Sequence, residues 1–438
     1  MKKVGIGLLG LGTVGKGVAN IINNPNDRHP LVGELELVGV AVRNLQKKRD
    51  IIIPDSILTT NPIEIVTNPN IQIIVEVMGG IEPAKSLIIQ AIRAGKSVVT
   101  ANKAVIARHG EEISNEAKAA GVYVLIEAAV GGGIPIIEPV KQSLGGNQIT
   151  KVSGIINGTT NYILSRMDKE GVDYADVLKD AQELGYAESD PAADVEGSDA
   201  ADKIAILSGL AFGGSINRSN IPTTGINHLE AVDVNYARKL GYGIKLLAIS
   251  EKDKSPSKTE GSQPLSIWVE PTLVPEDNPL AGVNGVNNAI LVEGNPIGQV
   301  MFFGPGAGSG PTASAVVADI LNIAGIQSMS EDNIFNLDPL LSAMSWRNCH
   351  VAEKKQITKK NYIRLIANDS PGVIGEIGTI FGKKKISIES IVQFDVTDEE
   401  AEIVVITHKI QQGQLEEALL EIKNLSQVKR IAATMGCL

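Results

Sequence analysis

A glycine turn, two lysines and a block of acids are the residues whose types and spacing can do chemistry. Gly10-Leu11-Gly12-Thr13-Val14-Gly15 has the GxGxxG spacing of a dinucleotide site. Gly10 permits the tight turn, Gly12 lets the backbone approach a pyrophosphate, and Gly15 lets the following helix pack close to a sheet. The unpaired N–H groups at that helix N-terminus then face the anion. An acid at the end of the second strand would bind the ribose 2′-hydroxyl of NAD. Arg43 stands there instead, with Lys47, Lys48 and Arg49 behind it, which favours the 2′-phosphate of NADP over NAD. A solvated basic helix face is the plainer account of the same run.

Thr100-Ala101-Asn102-Lys103 follows a strand, and ligands of open α/β sheets sit beyond strand carboxyl ends. Lys103 can therefore reach a substrate, although a structural loop lysine suits the position equally. The acids Glu188, Asp190, Asp194, Glu196, Asp199 and Asp202 crowd the stretch from Gly185 to Lys203. The EF-hand spacing is not met and no histidine is near, which argues against a metal loop. Acids alone would be a solvated charge run. If a helix begins near Ser198, however, Asp199 and Lys203 lie four apart on one face. Ile204-Ala205-Ile206-Leu207 then carries that helix into a core and leaves its first turn at a cleft mouth.

The elements that must position these groups alternate over the first 130 residues, the pattern of a doubly wound parallel sheet. Strands are expected at Val4–Leu9, Leu35–Val42, Ile71–Val77, Ser97–Thr100 and Val122–Glu127. Helices are expected at Thr13–Asn23, Glu82–Ala94 and Gly110–Ala120. Composition changes at Gly131-Gly132-Gly133 and Pro135. From 131 to 300 helices mix with longer strands, such as Ile149–Ile155, Gly243–Ser250 and Leu265–Val274, in a mixed α+β domain. Asp253–Pro264 is polar and reads as a surface loop. Gly304–Gly310 runs into an apolar helix, Thr312–Ala324, so 301–325 returns to complete the first domain. Residues 326–360 read as a linker, charged at Glu353–Lys360. Residues 361–438 then run β-α-β-β-α-β through Tyr362–Ala367, Val373–Gly382, Ser387–Val396, Glu402–Ile406, Leu415–Leu425 and Val428–Thr434, a separate ferredoxin-like domain.

Composition sets outer bounds. The 438 residues call for two or three domains. A net charge of −10 disfavours a nucleic-acid partner. No apolar run approaches the roughly 20 residues of a membrane span. Glycines 5, 7, 10, 12 and 15 break the apolar run that a secretion signal needs. The two cysteines, Cys349 and Cys437, offer no disulfide framework or metal site and fit a reducing cytoplasm.

Together the glycine turn, Thr-Ala-Asn-Lys at 100–103, Glu-Ala-Ala-Val-Gly-Gly-Gly-Ile-Pro at 127–135, Asn-Gly-Thr-Thr-Asn-Tyr-Ile at 157–163 and the acidic block ending at Lys203 resemble homoserine dehydrogenase. The resemblance covers most of residues 4–325. It implies reversible reduction of L-aspartate 4-semialdehyde to L-homoserine, in the pathway to threonine, isoleucine and methionine. It also implies Lys203 as acid/base, with Lys103 as a second lysine near the reacting carbon. Glu188 and Asp199 would hold the amino-acid substrate, with Asp194 beside them. The cofactor would meet residues 10–15, Arg43, Thr100, Lys103, Gly185, Gly306 and Gly308. The stretch 127–134 resembles the family's monovalent-cation loop, in which Glu127, Val130, Gly132 and Ile134 supply mainly backbone oxygens to sodium or potassium; a glycine hinge is the alternative. The family is expected to form homo-oligomers, dimers or tetramers.

Asn368-Asp369-Ser370-Pro371-Gly372-Val373, between a strand and a helix, resembles the first loop of an ACT domain. For this family the implied effector is L-threonine, held by Asn368, Asp369, Gly372 and Val373; a dimerisation domain without a ligand is the alternative. Two rival functions remain. An acylating semialdehyde dehydrogenase needs a cysteine nucleophile in the catalytic domain, where neither cysteine falls. A non-catalytic sensor of NADP and an amino acid leaves the lysines and carboxylates unexplained. None of the five histidines falls within these motifs.

Overall fold

The computed structural model describes residues 3–214, 216–239, 241–252, 265–327, 355, 358–397 and 400–437. The expected loop Asp253–Pro264 and most of the expected linker, with Cys349, lie outside those residues. The chain separates into two compact units, Met1–Trp346 and Arg347–Leu438.

The first unit begins with strands β1 (Val4–Leu9), β2 (Leu35–Ala41), β3 (Leu58–Thr59), β4 (Ile73–Glu76), β5 (Ser97–Thr100) and β6 (Val124–Leu125). They form one sheet in the order β3-β2-β1-β4-β5-β6, every pair parallel. The near-continuous apolar runs, such as Val4–Leu9 with five of six residues buried, suit strands covered on both faces. Chain order reverses between β1 and β4, and that switch point opens a crevice at their carboxyl ends. Helices α1 (Thr13–Asn23), α2 (Pro62–Thr67), α3 (Ala84–Arg93) and α4 (Lys103–Ala120) connect the strands.

Helix α4 starts seven residues before the expected Gly110. The Asn102 side chain accepts the Val105 N–H at 3.3 Å and caps it, so Lys103 becomes the first helical residue. The strand expected over Val122–Glu127 shortens to β6 because residues 127–129 turn into a 3-10 helix.

A second, antiparallel sheet follows, in the order β11-β10-β7-β8-β9. Its strands are β7 (Gln148–Ile155), β8 (Tyr242–Lys252), β9 (Leu265–Pro275), β10 (Asn287–Asn295) and β11 (Gly298–Pro305). The β10–β11 hairpin was not separately expected; β11 absorbs the first two residues of the glycine-rich stretch 304–310. Helices α5 (Gly158–Glu170), α6 (Tyr174–Glu183), α7 (Ala192–Val195), α8 (Ser198–Phe212) and α9 (Ala231–Lys239) accompany this sheet. Helix α8 enters the core as its apolar run implies, with Ala200, Ala201, Ile204, Ala205 and Leu207 all at most 5% exposed.

Helix α10 (Ser309–Gln327) returns to the first sheet and lies against α1. A Cβ on Gly17 would come within 2.7 Å of the Ser309 carbonyl and of Ala313 Cβ, so only glycine allows this approach. The second unit contains strands β12 (Thr358–Asn368), β13 (Ile388–Thr397), β14 (Glu400–Thr407), β15 (Ile410–Gln411) and β16 (Val428–Cys437), with helices at Val373–Lys383 and Gln412–Lys423. β12 lies between β14 and β16, and β13 flanks β14, all antiparallel. This is the expected β-α-β-β-α-β arrangement.

Candidate active site

The glycine turn sits where β1 delivers it, at the switch point. Gly10 has φ +105°, and a Cβ on Gly15 would overlap the Gly10 carbonyl oxygen. A Cβ on Gly12, by contrast, would meet nothing within 4 Å. Gly12 precedes α1 with open space above it, while its neighbours are locked by packing; that cradle fits a pyrophosphate at a helix N-terminus. Leu11 is buried, Thr13 exposed and Val14 half-buried.

Arg43 is exposed just past β2, on a loop and not on a helix face. Of the basic residues behind it, Arg49 donates to the carbonyls of Asn44 at 2.6 Å and Lys47 at 2.9 Å. It thereby shapes the loop. Thr100 is buried at the end of β5, where its hydroxyl donates to Glu76 Oε2 at 2.7 Å and accepts the Asn102 N–H at 3.0 Å.

The lysines and one acid come together across nearly a hundred residues of chain. Asp199, in the first turn of α8, is buried and pairs with both Lys103 and Lys203. Lys203 Nζ lies 2.8 Å from Asp199 Oδ2 and donates to the Ile156 carbonyl at 2.6 Å. Asp199 and Lys203 share a helix face, as their spacing predicts. The Lys103 side chain is 40% exposed and the Lys203 side chain 11%, so one lysine faces the cleft and the other stands behind the carboxylate.

Burial works against ionisation of Asp199, yet the two ammonium groups overcome it and hold the carboxyl well below its usual range. Burial depresses Lys203, and the nearby Lys103 charge adds to this, while Asp199 opposes both. For Lys103 burial is outweighed by the charge and hydrogen bond of Asp199, so its ammonium is held above its usual value. The two lysines are therefore tuned in opposite directions, a common sign of distinct acid/base roles.

Asn157 joins the group without having been singled out. Its Nδ2 donates to Asp194 Oδ1 at 2.7 Å and to Asp199 Oδ2 at 2.9 Å. Its Oδ1 accepts the Thr160 N–H at 2.9 Å and caps α5. The Asn-Gly-Thr-Thr stretch carried the capping signal; its aim at two acids distant in sequence could not be read from it. The remaining acids separate by environment. Asp202 pairs with Arg218 at 2.8 Å, and Asp190 accepts the Ala192 N–H at 3.2 Å. Glu188 lies exposed on the turn after α6, near exposed Gly185, and its carbonyl accepts from Gln182 Nε2 at 3.1 Å.

The 127–134 stretch holds a second acidic group. The Glu127 carboxylate is buried and accepts backbone N–H bonds from Ile136, Ile137 and Glu138 at 2.5–2.8 Å. Its own N–H donates to Asp319 Oδ2 at 2.8 Å. Carboxylate oxygens of Glu127, Glu138 and Asp319 lie within 4.8 Å of one another. Asp319 is fully buried, its Oδ1 has no partner, and burial pushes its carboxyl well above the usual range. Oxygen donors of this kind fit a hard cation. Val130, Gly132 and Ile134 are buried, and Gly132 takes φ +58° against Gly306.

Gly306 and Gly308 lie on the loop between β11 and α10. Pro305 accepts the Gly133 N–H at 3.2 Å, and the Ser309 hydroxyl donates to the Thr13 carbonyl at 2.7 Å. The loop thus spans from the 131–133 stretch to the glycine turn. In the second unit, Asn368 is half-buried, Asp369 is exposed and accepts from Gln393 Nε2 at 3.0 Å, and Gly372 (φ +97°) precedes buried Val373 at a helix start. A concavity of about 1310 Å³, lined by Ile106, Tyr123, Leu125, Ile206 and Leu210 among others, contains none of the candidate site residues.

Three family models match the chain: "Homoserine dehydrogenase, NAD binding domain" over residues 10–127, "Homoserine dehydrogenase" over 135–321, and "ACT domain" over 361–427. A homoserine dehydrogenase from Synechocystis sp. is 54% identical over 435 residues, 99% of each chain. One from Bacillus subtilis is 36% identical over 438 residues, 99% of this chain and 98% of that one. Among solved structures, a homoserine dehydrogenase from Thiobacillus denitrificans is 40% identical with a TM-score of 0.69, covering 100% of this chain and 98% of the other. A hyperthermophilic archaeal homoserine dehydrogenase in complex with NADPH is 28% identical with a TM-score of 0.60, covering 75% of this chain and 99% of the other.

Proposed function

The chain belongs to the homoserine dehydrogenase family, and from that premise we propose that it interconverts L-homoserine and L-aspartate 4-semialdehyde, with NADP preferred over NAD. It is an NAD(P)-dependent oxidoreductase of amino-acid biosynthesis. The observation that carries the reading is the convergence of Lys103 and Lys203 on buried Asp199, in the unit that also presents the glycine turn.

A nicotinamide cofactor, when bound, would supply or take the hydride. The chain does the rest. Gly12 and the α1 N-terminus would receive the pyrophosphate, and Arg43 would pair with a 2′-phosphate. Aldehyde reduction builds alkoxide charge, which an ammonium stabilises and protonates. Lys203, depressed by burial, is the acid/base group, since it moves between its two forms more readily than an ordinary lysine. Lys103, held charged, steadies the developing oxyanion. Asp199 with Asn157 and Asp194 holds the lysines in register, and Asp199 with Glu188 receives the substrate's α-ammonium. Thr100, Gly185, Gly306 and Gly308 complete the cofactor site.

The residues around 127–134 would hold a monovalent cation, sodium or potassium, through the backbone oxygens of Glu127, Val130, Gly132 and Ile134. The adjoining carboxylates favour positive charge there. The ACT domain takes an amino-acid effector, L-threonine, at Asn368, Asp369, Gly372 and Val373, and the protein works as a homo-oligomer in the cytoplasm. Spectrophotometric turnover of L-homoserine with NADP and with NAD tests the reaction. Lys203→Ala should lose at least about a hundredfold in kcat while still binding NADPH; near-normal kcat would remove Lys203 from the acid/base role.

A further inference from the structure

Asn288, on β10, is 1% exposed, yet neither its Nδ2 nor its Oδ1 has a hydrogen-bond partner. A buried carboxamide with both ends unpaired is uncommon, because each polar end has given up water for nothing. Such a group persists when another state of the protein uses it.

The surroundings of Asn288 say which state that is. Its backbone is paired with Gly304 across the β10–β11 ladder. A Cβ on Gly306 would overlap the Asn288 carboxamide, so the amide lies flat against that glycine. A Cβ on Gly158 would also stand 3.6 Å from Asn288 Oδ1. Gly158 is the first residue of α5, next to the Asn157 that bridges Asp194 and Asp199. Asn288 therefore lies close both to Gly158, beside the carboxylate–lysine group, and to the loop whose far end, Ser309, bonds Thr13 of the glycine turn.

We propose that Asn288 is a positioning residue: when a nicotinamide cofactor seats against the Gly306–Gly308 loop, peptide groups of that loop turn onto the Asn288 carboxamide. The pairing fixes the nicotinamide end opposite Lys103, Asp199 and Lys203. An amide suits this task because it offers both a donor and an acceptor to peptide groups. The glycines at 306 and 308 allow the loop the needed backbone change. Unpaired polarity in the unloaded protein, relieved on loading, gives the cofactor a differential affinity for the seated loop. The inference rests on the cofactor reading above, and not on the identity of the hydroxy substrate.

Asn288→Leu keeps the approximate shape and removes both polar ends. The unloaded variant should unfold at the same or a higher temperature than wild type, because unpaired polar atoms have left the core. Its Kd for NADPH, read by titration of the nucleotide fluorescence, should rise about tenfold, and kcat should fall with it. In wild type, saturating NADPH should slow amide hydrogen exchange over 306–309. NADPH binding by N288L within about twofold of wild type overturns the proposal, as does unchanged exchange in that loop. An N288L protein that unfolds earlier or fails to fold also counts against it, since the amide would then serve the fold. Loss of homoserine turnover by wild type would refute the proposed reaction while leaving both cofactor readouts valid.

Discussion

Replacing Asp199 by Asn removes one charge from a group of three and leaves two lysines facing each other. The carboxylate oxygen stands 2.8 Å from Lys203 Nζ. At an effective dielectric of about 20, Coulomb's law gives roughly 6 kcal/mol for charges at that separation. That is a ceiling, because Lys103 shares the same carboxylate and solvent reaches its side of the group. A shift of at least about one pH unit, or about 1.4 kcal/mol, is the conservative expectation. Its sign follows from the environment. Burial and Lys103 already depress Lys203 while Asp199 holds it up, so D199N moves the Lys203 pKa further down. In homoserine oxidation Lys203 must be neutral to accept a proton, so the acid limb of the kcat/KM profile moves to lower pH. In aldehyde reduction it must be protonated, so the alkaline limb moves the same way. Turnover at the optimum should fall about a hundredfold as the lysines lose their register. Asp199 has a depressed folded pKa, so its contribution is present above the ordinary value of 3.8 and is lost as pH falls below it. D199N should therefore be less stable at neutral pH, and less of its remaining stability should disappear on acidification. The assay is a pair of pH–rate profiles, one per direction, with thermal unfolding followed across the same range. Limbs that stay in place, with turnover near wild type, would refute the coupling of Asp199 to Lys203.

Three further outcomes follow from other parts of the molecule. Arg43→Ala should raise KM for NADP about tenfold and leave that for NAD unchanged, since it removes a charge-assisted contact to the 2′-phosphate alone; equal effects on both cofactors would show that Arg43 does not discriminate. Gly15→Ala places a Cβ onto the Gly10 carbonyl oxygen, so it should cost about 1–3 kcal/mol of stability and weaken NADPH binding, as thermal unfolding and titration would report. L-Threonine should alter the activity of the full chain and not that of a chain ending near Gln356; insensitivity of both leaves the ACT domain without an effector role.

Much of this was legible before any folding. The first sheet could be read because buried parallel strands are short apolar runs, and because glycines and caps punctuate the helices between them. The doublet Asp199 and Lys203 was legible because helical spacing of four is a local rule. The reach of α4 to Lys103 was not, since the Asn102 cap competes with an ordinary loop reading until its hydrogen bond is seen. The β10–β11 hairpin was missed because its strands run together with the glycine-rich stretch that follows.

The candidate site divides the same way. Residue type and spacing by themselves marked the glycine turn, the basic run at Arg43 and the Asp199–Lys203 doublet, because each is a local pattern with a chemical reason; the roles of Lys103 and the other acids came from the family resemblance. Only the tertiary structure decided that Lys103 and Lys203 share Asp199 and that Asn157 ties Asp194 to it. The structure also decided which lysine is exposed and which buried. Those facts depend on α4 and α8 meeting across nearly a hundred residues. Sequence order carries no distance over such a span; desolvation and charge pairing are set only when the elements pack.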